Sequence, residues 1–98
     1  MRFSKKVLEL TKKIPRGKIT TYKIIAEKLN TRAYRAVGTA LHKNKKPIII
    51  PCHRVVNSDG FVGNYGKGIK RKIELLRKER IKIKNKRIQN FEKVLFRF

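Results

Sequence analysis

The sequence predicts a mainly α, winged helix-turn-helix domain with a small β-hairpin wing. Apolar residues recur at helical spacing in four segments, and a break of two residues joins two of these segments. An Asp-Gly pair also lies between two runs of β-forming residues, which is typical of a hairpin. With 98 residues, of which 40% are hydrophobic, the chain can bury one modest core. We therefore expect one such domain over residues 1–80 and a basic C-terminal extension over residues 81–98.

The first amphipathic helix is predicted from apolar positions spaced by four, three and four residues: Phe3, Val7, Leu10 and Ile14. We expect Ser4 to cap this helix and the Pro15-Arg16-Gly17 segment to end it. Thr20-Thr21 then supplies a cap for a second helix, from Tyr22 to Leu29.

A third helix is predicted from about Arg32 to His42, directly after the short break at Asn30-Thr31. Two helices joined so closely form a helix-turn-helix, whose second helix usually enters a groove of DNA. The residues that we expect this helix to bury are Ala33, Ala36, Val37, Ala40 and Leu41.

After the third helix, the sequence predicts extended chain and a hairpin before a last helix. The segment from Pro47 to Pro51 predicts a buried, extended stretch, since a proline at each end cannot donate to a sheet ladder. Asp59-Gly60 predicts the turn of the hairpin, between residues 54–57 and 61–63. A last helix is predicted from Ile69 to about Arg80. Its buried face would contain Ile69, Ile73 and Leu76.

The strongly positive net charge of the chain favours a polyanion such as nucleic acid as its partner. The chain has 28 Lys and Arg against 6 Asp and Glu, a formal net charge of +22. So much charge on a small surface weakens the compact state unless a polyanion neutralises it. No apolar run approaches a membrane span or a signal peptide, and one cysteine with two histidines is a poor metal set. We expect a monomeric, cytoplasmic protein that associates with the nucleoid through nucleic acid.

Cys52 is the candidate nucleophile. A lone cysteine is a small buried hydrophobe about as often as a reactive group, but Pro51 fixes the backbone before it and His53 supplies a base after it. Glu79 could orient the imidazole if the fold brings the two together. Because neighbouring residues in extended chain point to opposite sides, we expect a bridging water between Cys52 and His53.

Pro51-Cys52-His53-Arg54-Val55 resembles the active-site motif of the O6-alkylguanine-DNA alkyltransferases, also called methylated-DNA–protein-cysteine methyltransferases. The resemblance runs from about Phe3 to Glu79. The further motifs that carry it are Gly17-Lys18-Ile19-Thr20-Thr21-Tyr22, Arg35-Ala36-Val37-Gly38, Asn44 and Gly60-Phe61-Val62-Gly63-Asn64-Tyr65.

The resemblance implies DNA repair by a single-turnover transfer, in which Cys52 takes the alkyl group from O6 of a guanine turned out of double-stranded DNA. It implies no cofactor and no metal, because the lesion itself carries the alkyl group. The implied catalytic residues are Cys52, His53, Glu79, Tyr22 and Asn44. The implied DNA-binding residues are Arg35, Tyr22, Ala36 and Thr21, and those of the substrate pocket are Pro47, Val55, Tyr65 and Gly66.

Three departures from the family pattern and two alternatives accompany this interpretation. Gly66 stands where many members have serine, and the preceding α/β domain of the family is not expected here. The Lys-rich tail after Glu79 also extends beyond the usual end of the family. One alternative is a non-catalytic, alkyltransferase-like protein, in which another residue, usually tryptophan, replaces the cysteine. The other is a plain basic winged helix that binds DNA or RNA. Cys52 favours the transfer reaction over both.

Overall fold

A computed structural model describes residues 2–46 and 49–98 and confirms the mainly α fold class with a small β component. The described helices are α1 (Phe3–Thr11), α2 (Tyr22–Lys28), α3 (Tyr34–His42), α4 (Ile69–Lys78) and α5 (Phe91–Val94). The strands are β1 (Thr20–Thr21), β2 (Val55–Val56), β3 (Ile83–Lys84) and β4 (Arg87–Ile88), and Cys52–Arg54 form a 3₁₀ turn.

The helix ends follow local hydrogen bonding. Thr21 caps α2 as predicted, since its hydroxyl accepts from the amide of Ile24 at 3.0 Å. The cap predicted at Ser4 is wrong: α1 already begins at Phe3 and has no side-chain cap. Ile14 lies beyond the end of α1 and is nevertheless buried, in the turn that follows the helix.

A short parallel ladder connects the helix-turn-helix to the second half of the chain. Thr20 pairs with Val55 and Thr21 with Val56. Because successive strand residues point to opposite faces, Val55 and Val56 enter different hydrophobic clusters. The start of α2 and the Cys52–Arg54 turn are thereby fixed to each other.

The described residues build two apolar clusters on either side of this ladder. The first joins α1, α2 and α3 through Val7, Leu10, Ile14, Ile25, Ala26, Val37, Ala40, Leu41 and Val55. The second consists of Ile19, Val56, Val62, Leu76, Ile81, Ile83 and Ile88. Three of the seven buried residues of the second cluster therefore come from residues 81–98.

The antiparallel hairpin lies later in the chain than predicted. The segment around Asp59-Gly60 is a tight turn, in which the amide of Asn57 donates to the carbonyl of Phe61 at 2.9 Å. The strands before and after that turn find other partners, because β2 pairs with β1 and Phe61 forms a bridge with Arg87. The regular hairpin consists of β3 and β4.

Burial also differs from the prediction at several apolar positions. Ala33 and Ala36 are exposed on α3, and Ile49 is 75% exposed instead of lying in a buried segment. On α4, Ile69 and Ile73 are half-buried, whereas a lysine between them, Lys72, is completely buried. Apolar spacing predicted the helices but not the burial of this lysine, whose partners lie far along the chain.

No helix in the described part of the chain has the length and apolar character needed to cross a membrane.

We predict that Ile81→Ala destabilises the fold, because Ile81 is 2% exposed and sits in the second cluster. Removing a buried isoleucine side chain usually costs about 2–5 kcal/mol of unfolding free energy. Denaturant unfolding measures this loss. The control is Lys82→Ala, one residue further on and exposed, which should change the unfolding free energy by less than about 0.5 kcal/mol. Equal effects would mean that Ile81 does not contribute to the core.

Candidate active site

An open cavity of about 690 Å³ lies between α3, the start of α2 and the loop that follows β2. Among the residues predicted as functional, Cys52, Tyr22, Asn44, Arg35, Tyr65 and Gly66 line it. A volume in this range is typical of sites for small organic groups. The sequence therefore brings a thiol, two phenols, an amide and a guanidinium to one concave surface.

The 3₁₀ turn separates the side chains of Cys52 and His53. Cys52 is partly exposed and lines the cavity, whereas His53 is completely buried behind it. The local conformation is a turn and not the extended chain predicted from the sequence. Pro51 forms the start of the turn, since its carbonyl accepts from the amide of Arg54 at 2.9 Å.

Glu79, at the C-terminal end of α4, receives both basic side chains of this turn. Its Oε2 lies 3.0 Å from Nε2 of His53. Arg54 donates to the same carboxylate through Nε at 2.8 Å and through a second nitrogen at 2.6 Å. A further guanidinium nitrogen of Arg54 donates to the carbonyl of Ile14 at 2.8 Å. The turn, the end of α4 and the chain after α1 are thus joined at one carboxylate.

This arrangement leaves the imidazole with one nitrogen free to act as a base. Burial lowers the pKa of His53, although the hydrogen bond and the charge of Glu79 act in the opposite direction. Burial would raise the pKa of Glu79, but hydrogen bonds from Arg54 and His53 outweigh it and hold that pKa below its ordinary value. With Nε2 bonded to the carboxylate, Nδ1 has no partner among the described residues. A neutral imidazole in this orientation can accept a proton at Nδ1.

Lys72 lies beneath the cavity with its ammonium group completely enclosed. Its Nζ donates to the carbonyl of Val55 at 2.6 Å and to the carbonyl of Asn64 at 3.1 Å. The same atom stands 5.8 Å from the centre of the Tyr22 ring. Burial lowers the pKa of Lys72 to about 7, against the opposing effect of charge on Cys52. Lys72 therefore links β2 to the loop that follows it, and its pKa of about 7 lies close to neutral pH.

Two phenol groups beside Cys52 keep their protons. Burial, followed by the charge of Cys52, raises the pKa of Tyr22 to about 12. The same two causes raise the pKa of Tyr65. Both residues line the cavity and so present hydroxyl donors to whatever occupies it.

Asn44 and Arg35 extend this surface along α3. Asn44 follows the C-terminal end of α3, and its side-chain nitrogen donates to the carbonyl of Ile50 at 2.9 Å. The end of α3 is thereby attached to the segment that leads into Cys52. Arg35 is exposed in the first turn of α3, at the cavity rim.

The remaining predicted site residues lie elsewhere. Thr21 is 2% exposed and its hydroxyl caps α2, and Ala36 is exposed outside the cavity lining. Val55 is completely buried outside that lining, because its side chain belongs to the first cluster and its carbonyl accepts from Lys72. Pro47 is outside the residues that the structure describes.

Sequence reasoning missed three residues of the site. No role was predicted for Arg54 on its own, although its position directly after His53 places a cation next to the candidate base. Lys72 gave no signal, since one more lysine in a chain with 28 basic residues is expected to be exposed. His42 was interpreted only as the end of α3, but its ring lies 3.8 Å from the point where a Cβ on Gly66 would stand. No group of three or more His, Cys, Asp or Glu in the described ranges could hold a metal ion.

Comparison with known proteins identifies the family. Residues 2–81 match the family model described as "6-O-methylguanine DNA methyltransferase, DNA binding domain". The chain belongs to this family. A methylated-DNA–protein-cysteine methyltransferase from Methanocaldococcus vulcanius is 52% identical over 80 residues, and one from Thermococcus kodakarensis is 51% identical over 81 residues. These stretches cover 82% of this chain and 48% and 45% of the relatives, so the chain spans about half the length of these relatives.

Solved structures of similar proteins have the same fold. The Mycobacterium tuberculosis OGT in complex with DNA is 40% identical with a TM-score of 0.77, covering 81% of this chain and 50% of that one. S. pombe Atl1, in complex with damaged DNA containing O6-carboxymethylguanine, is 28% identical with a TM-score of 0.84. The Atl1 match covers 99% of both chains and so includes residues 82–98, which lie beyond the family model.

Lys72 predicts a specific pH dependence of stability. The folded protein holds the pKa of Lys72 at about 7, whereas the unfolded chain restores the ordinary 10.5. Between these values the unfolded state binds more protons, so the contribution of Lys72 to the unfolding free energy rises with pH. The slope is on the order of 1 kcal/mol per pH unit.

Lys72→Met should therefore remove this slope, while the exposed neighbour Lys70→Met should keep it. Denaturant unfolding at a series of pH values above 7 measures both variants, and only the slopes are compared. If Lys72→Met retained the slope of the parent protein, the buried lysine would not titrate with the lowered pKa.

Proposed function

We propose that the protein repairs DNA by transferring the alkyl group of O6-alkylguanine irreversibly to Cys52, once per molecule. The observation that carries this proposal is the position of Cys52 at the cavity with His53 and Glu79 behind it. The family supports the reaction class, since the named relatives are methylated-DNA–protein-cysteine methyltransferases. The M. tuberculosis relative in complex with DNA supports DNA as the partner.

The proposed chemistry exchanges a proton for an alkyl group. A water passes the thiol proton of Cys52 to Nδ1 of His53, whose other nitrogen faces Glu79. The thiolate attacks the alkyl carbon, a C–S bond forms, and the C–O6 bond breaks with its electrons moving onto guanine. Tyr22, whose pKa of about 12 keeps it protonated, donates toward guanine N3. The proton held by His53 returns to the site through water, so that guanine ends with a proton in place of its alkyl group.

The substrate must leave the DNA stack before this step, because a base inside a duplex cannot present O6 to a protein sulfur. We assign Arg35, at the exposed start of α3 and the cavity rim, to the space that the flipped guanine leaves. Tyr65 and the backbone at Gly66 then form the far side of the pocket. Because the lesion brings the alkyl group, the reaction needs neither a cofactor nor a metal. We take the acting species to be a monomer.

A second candidate function is lesion binding without transfer. The match over 99% of both chains with S. pombe Atl1, bound to DNA containing O6-carboxymethylguanine, favours it. The presence of Cys52, with a base behind it, favours transfer. Loss of the alkyl group from the lesion distinguishes the two functions, because binding alone leaves the DNA unchanged.

The first prediction for this function concerns Cys52→Ser. A serine hydroxyl stays protonated at neutral pH and is a much weaker nucleophile, so alkyl transfer should stop while DNA binding remains within about twofold. The measurement is the amount of O6-methylguanine removed from a duplex for each molecule of protein. We expect one lesion per parent protein and none for the variant. Stoichiometric repair by Cys52→Ser would show that another group accepts the alkyl.

The second prediction concerns Arg35→Ala. If Arg35 fills the vacated stack, its removal should slow repair of a duplex by at least about tenfold and leave the reaction with free O6-benzylguanine unchanged. Single-turnover rates at saturating protein measure both reactions. Arg32→Ala is the matched control, since Arg32 is exposed just before α3 and should affect binding only. Equal slowing on duplex and free base would contradict the role in flipping.

A further inference from the structure

The hairpin of β3 and β4 presents a concentrated cationic edge. Four of its side chains are exposed and basic: Lys82, Lys84, Lys86 and Arg87. Ile83 and Ile88 alternate with them and enter the second cluster. Arg87 has an acidic neighbour, since it lies 3.6 Å from the carboxylate of Asp59. Within the described ranges, the three lysines have no carboxylate at salt-bridge distance.

This edge is unfavourable to the folded protein when nothing is bound. Lys84 and Arg87 are direct cross-strand partners, and like charges in that position repel. The two-residue turn contains Asn85 and Lys86, at φ values of 52° and 61°. Glycine is the usual residue at the second such position, because a lysine side chain is strained there. An anion bound to the edge would offset the repulsion.

The hairpin is attached to the rim of the active-site cavity. Phe61, which lines the cavity, forms an antiparallel bridge with Arg87, whose guanidinium carbon lies 5.9 Å from the Phe61 ring centre. The amide of Val62 donates to the carbonyl of Lys86 at 2.9 Å, and that of Ile88 to the carbonyl of Gly60 at 2.8 Å. The cationic edge is therefore held by the same backbone that forms one side of the cavity.

We propose that this hairpin is a second DNA-binding element, which binds phosphates beside the lesion while α3 occupies the groove. The inference rests on the proposed function, since it takes duplex DNA as the partner. The molecule measures 36 × 25 × 20 Å, and a duplex rises about 3.4 Å per base pair. A duplex seated on α3 thus needs only about ten base pairs to pass the whole protein, including the hairpin. The wing of this helix-turn-helix is accordingly supplied by residues 82–88.

The first test replaces Lys82, Lys84 and Lys86 together by glutamine. The matched control replaces three exposed lysines at the N-terminal helix and the turn after it, Lys5, Lys6 and Lys13. α1 packs on α3 in the first cluster, and the three control lysines are exposed and lie outside the cavity lining. The measurement is the affinity for an unmodified duplex as a function of salt.

The steepness of log K against log salt decreases by about 0.9 for each phosphate that the protein no longer neutralises. We expect the hairpin variant to lower this steepness by about 1.8–2.7, which corresponds to two or three phosphates, and the control variant by less than about 0.5. Equal changes in the two variants would overturn the proposal, since they would reflect net charge alone. An acidic protein as the true partner would leave the DNA slope of the hairpin variant unchanged and would equally overturn it.

A single substitution separates phosphate binding from a merely structural role. Lys86→Gly relieves the strain at φ 61° and removes one cation. We expect a higher melting temperature together with a salt dependence that is less steep by about 0.9, so that stability and binding move in opposite directions. A higher melting temperature with unchanged binding would contradict a role for Lys86 in binding phosphate.

Transfer from free O6-benzylguanine to Cys52 is followed in the same variants. It should proceed at the parent rate, because the hairpin does not line the cavity. Absence of transfer in the parent protein would refute the proposed reaction and leave the comparison of salt slopes valid. A failure of the proposed alkyl transfer is therefore distinguishable from a failure of the proposed DNA binding by the hairpin.

Discussion

The carboxylate of Glu79 is the interaction on which the rest of the site depends. It receives His53 and Arg54 from one turn, and the side chains of these three residues are 9%, 0% and 14% exposed in that order. Arg54 continues to the backbone after α1, so the carboxylate joins segments that are far apart in sequence. Removing one member of such a buried ionic cluster leaves uncompensated charge, which is strongly destabilising. The orientation of the His53 ring, and hence its free Nδ1, follows from this cluster.

Lys72, two turns before Glu79 on α4, is a second polar anchor. Lys72 satisfies the carbonyls of Val55 and Asn64 and faces the ring of Tyr22. Such a buried amine rigidifies the backbone around the thiol by hydrogen bonding, and its lowered pKa lets it remain there without full charge. The backbone around Cys52 is therefore held by Glu79, through His53 and Arg54, and by Lys72, through the carbonyls that follow the turn. Pro51 also restricts the backbone directly before Cys52, since the proline ring fixes its φ angle.

Sequence periodicity predicted the helices well, because α1 to α4 have apolar faces that recur at helical spacing. The sequence analysis also named Glu79 as a candidate partner of His53. The structure places Oε2 of Glu79 3.0 Å from Nε2 of His53, and the catalytic role of the pair stays a prediction. The hairpin was misplaced, since the pairing of β2 with β1 and of Phe61 with Arg87 is non-local. Lys72 was missed for the same reason: its acceptors are 17 and 8 residues away, and no periodic signal records them.

The central claim is that Glu79, through His53, activates Cys52. Its most direct test is the rate at which the Cys52 peptide gains the benzyl group from free O6-benzylguanine, followed by mass spectrometry of digested protein. Glu79→Gln is compared with Glu74→Gln, an exposed carboxylate on the same helix, at a temperature where both variants are folded. We predict a rate at least about tenfold lower for Glu79→Gln and an unchanged rate for Glu74→Gln, with the adduct on Cys52 in both. Equal rates, or an adduct on another residue, would contradict the account.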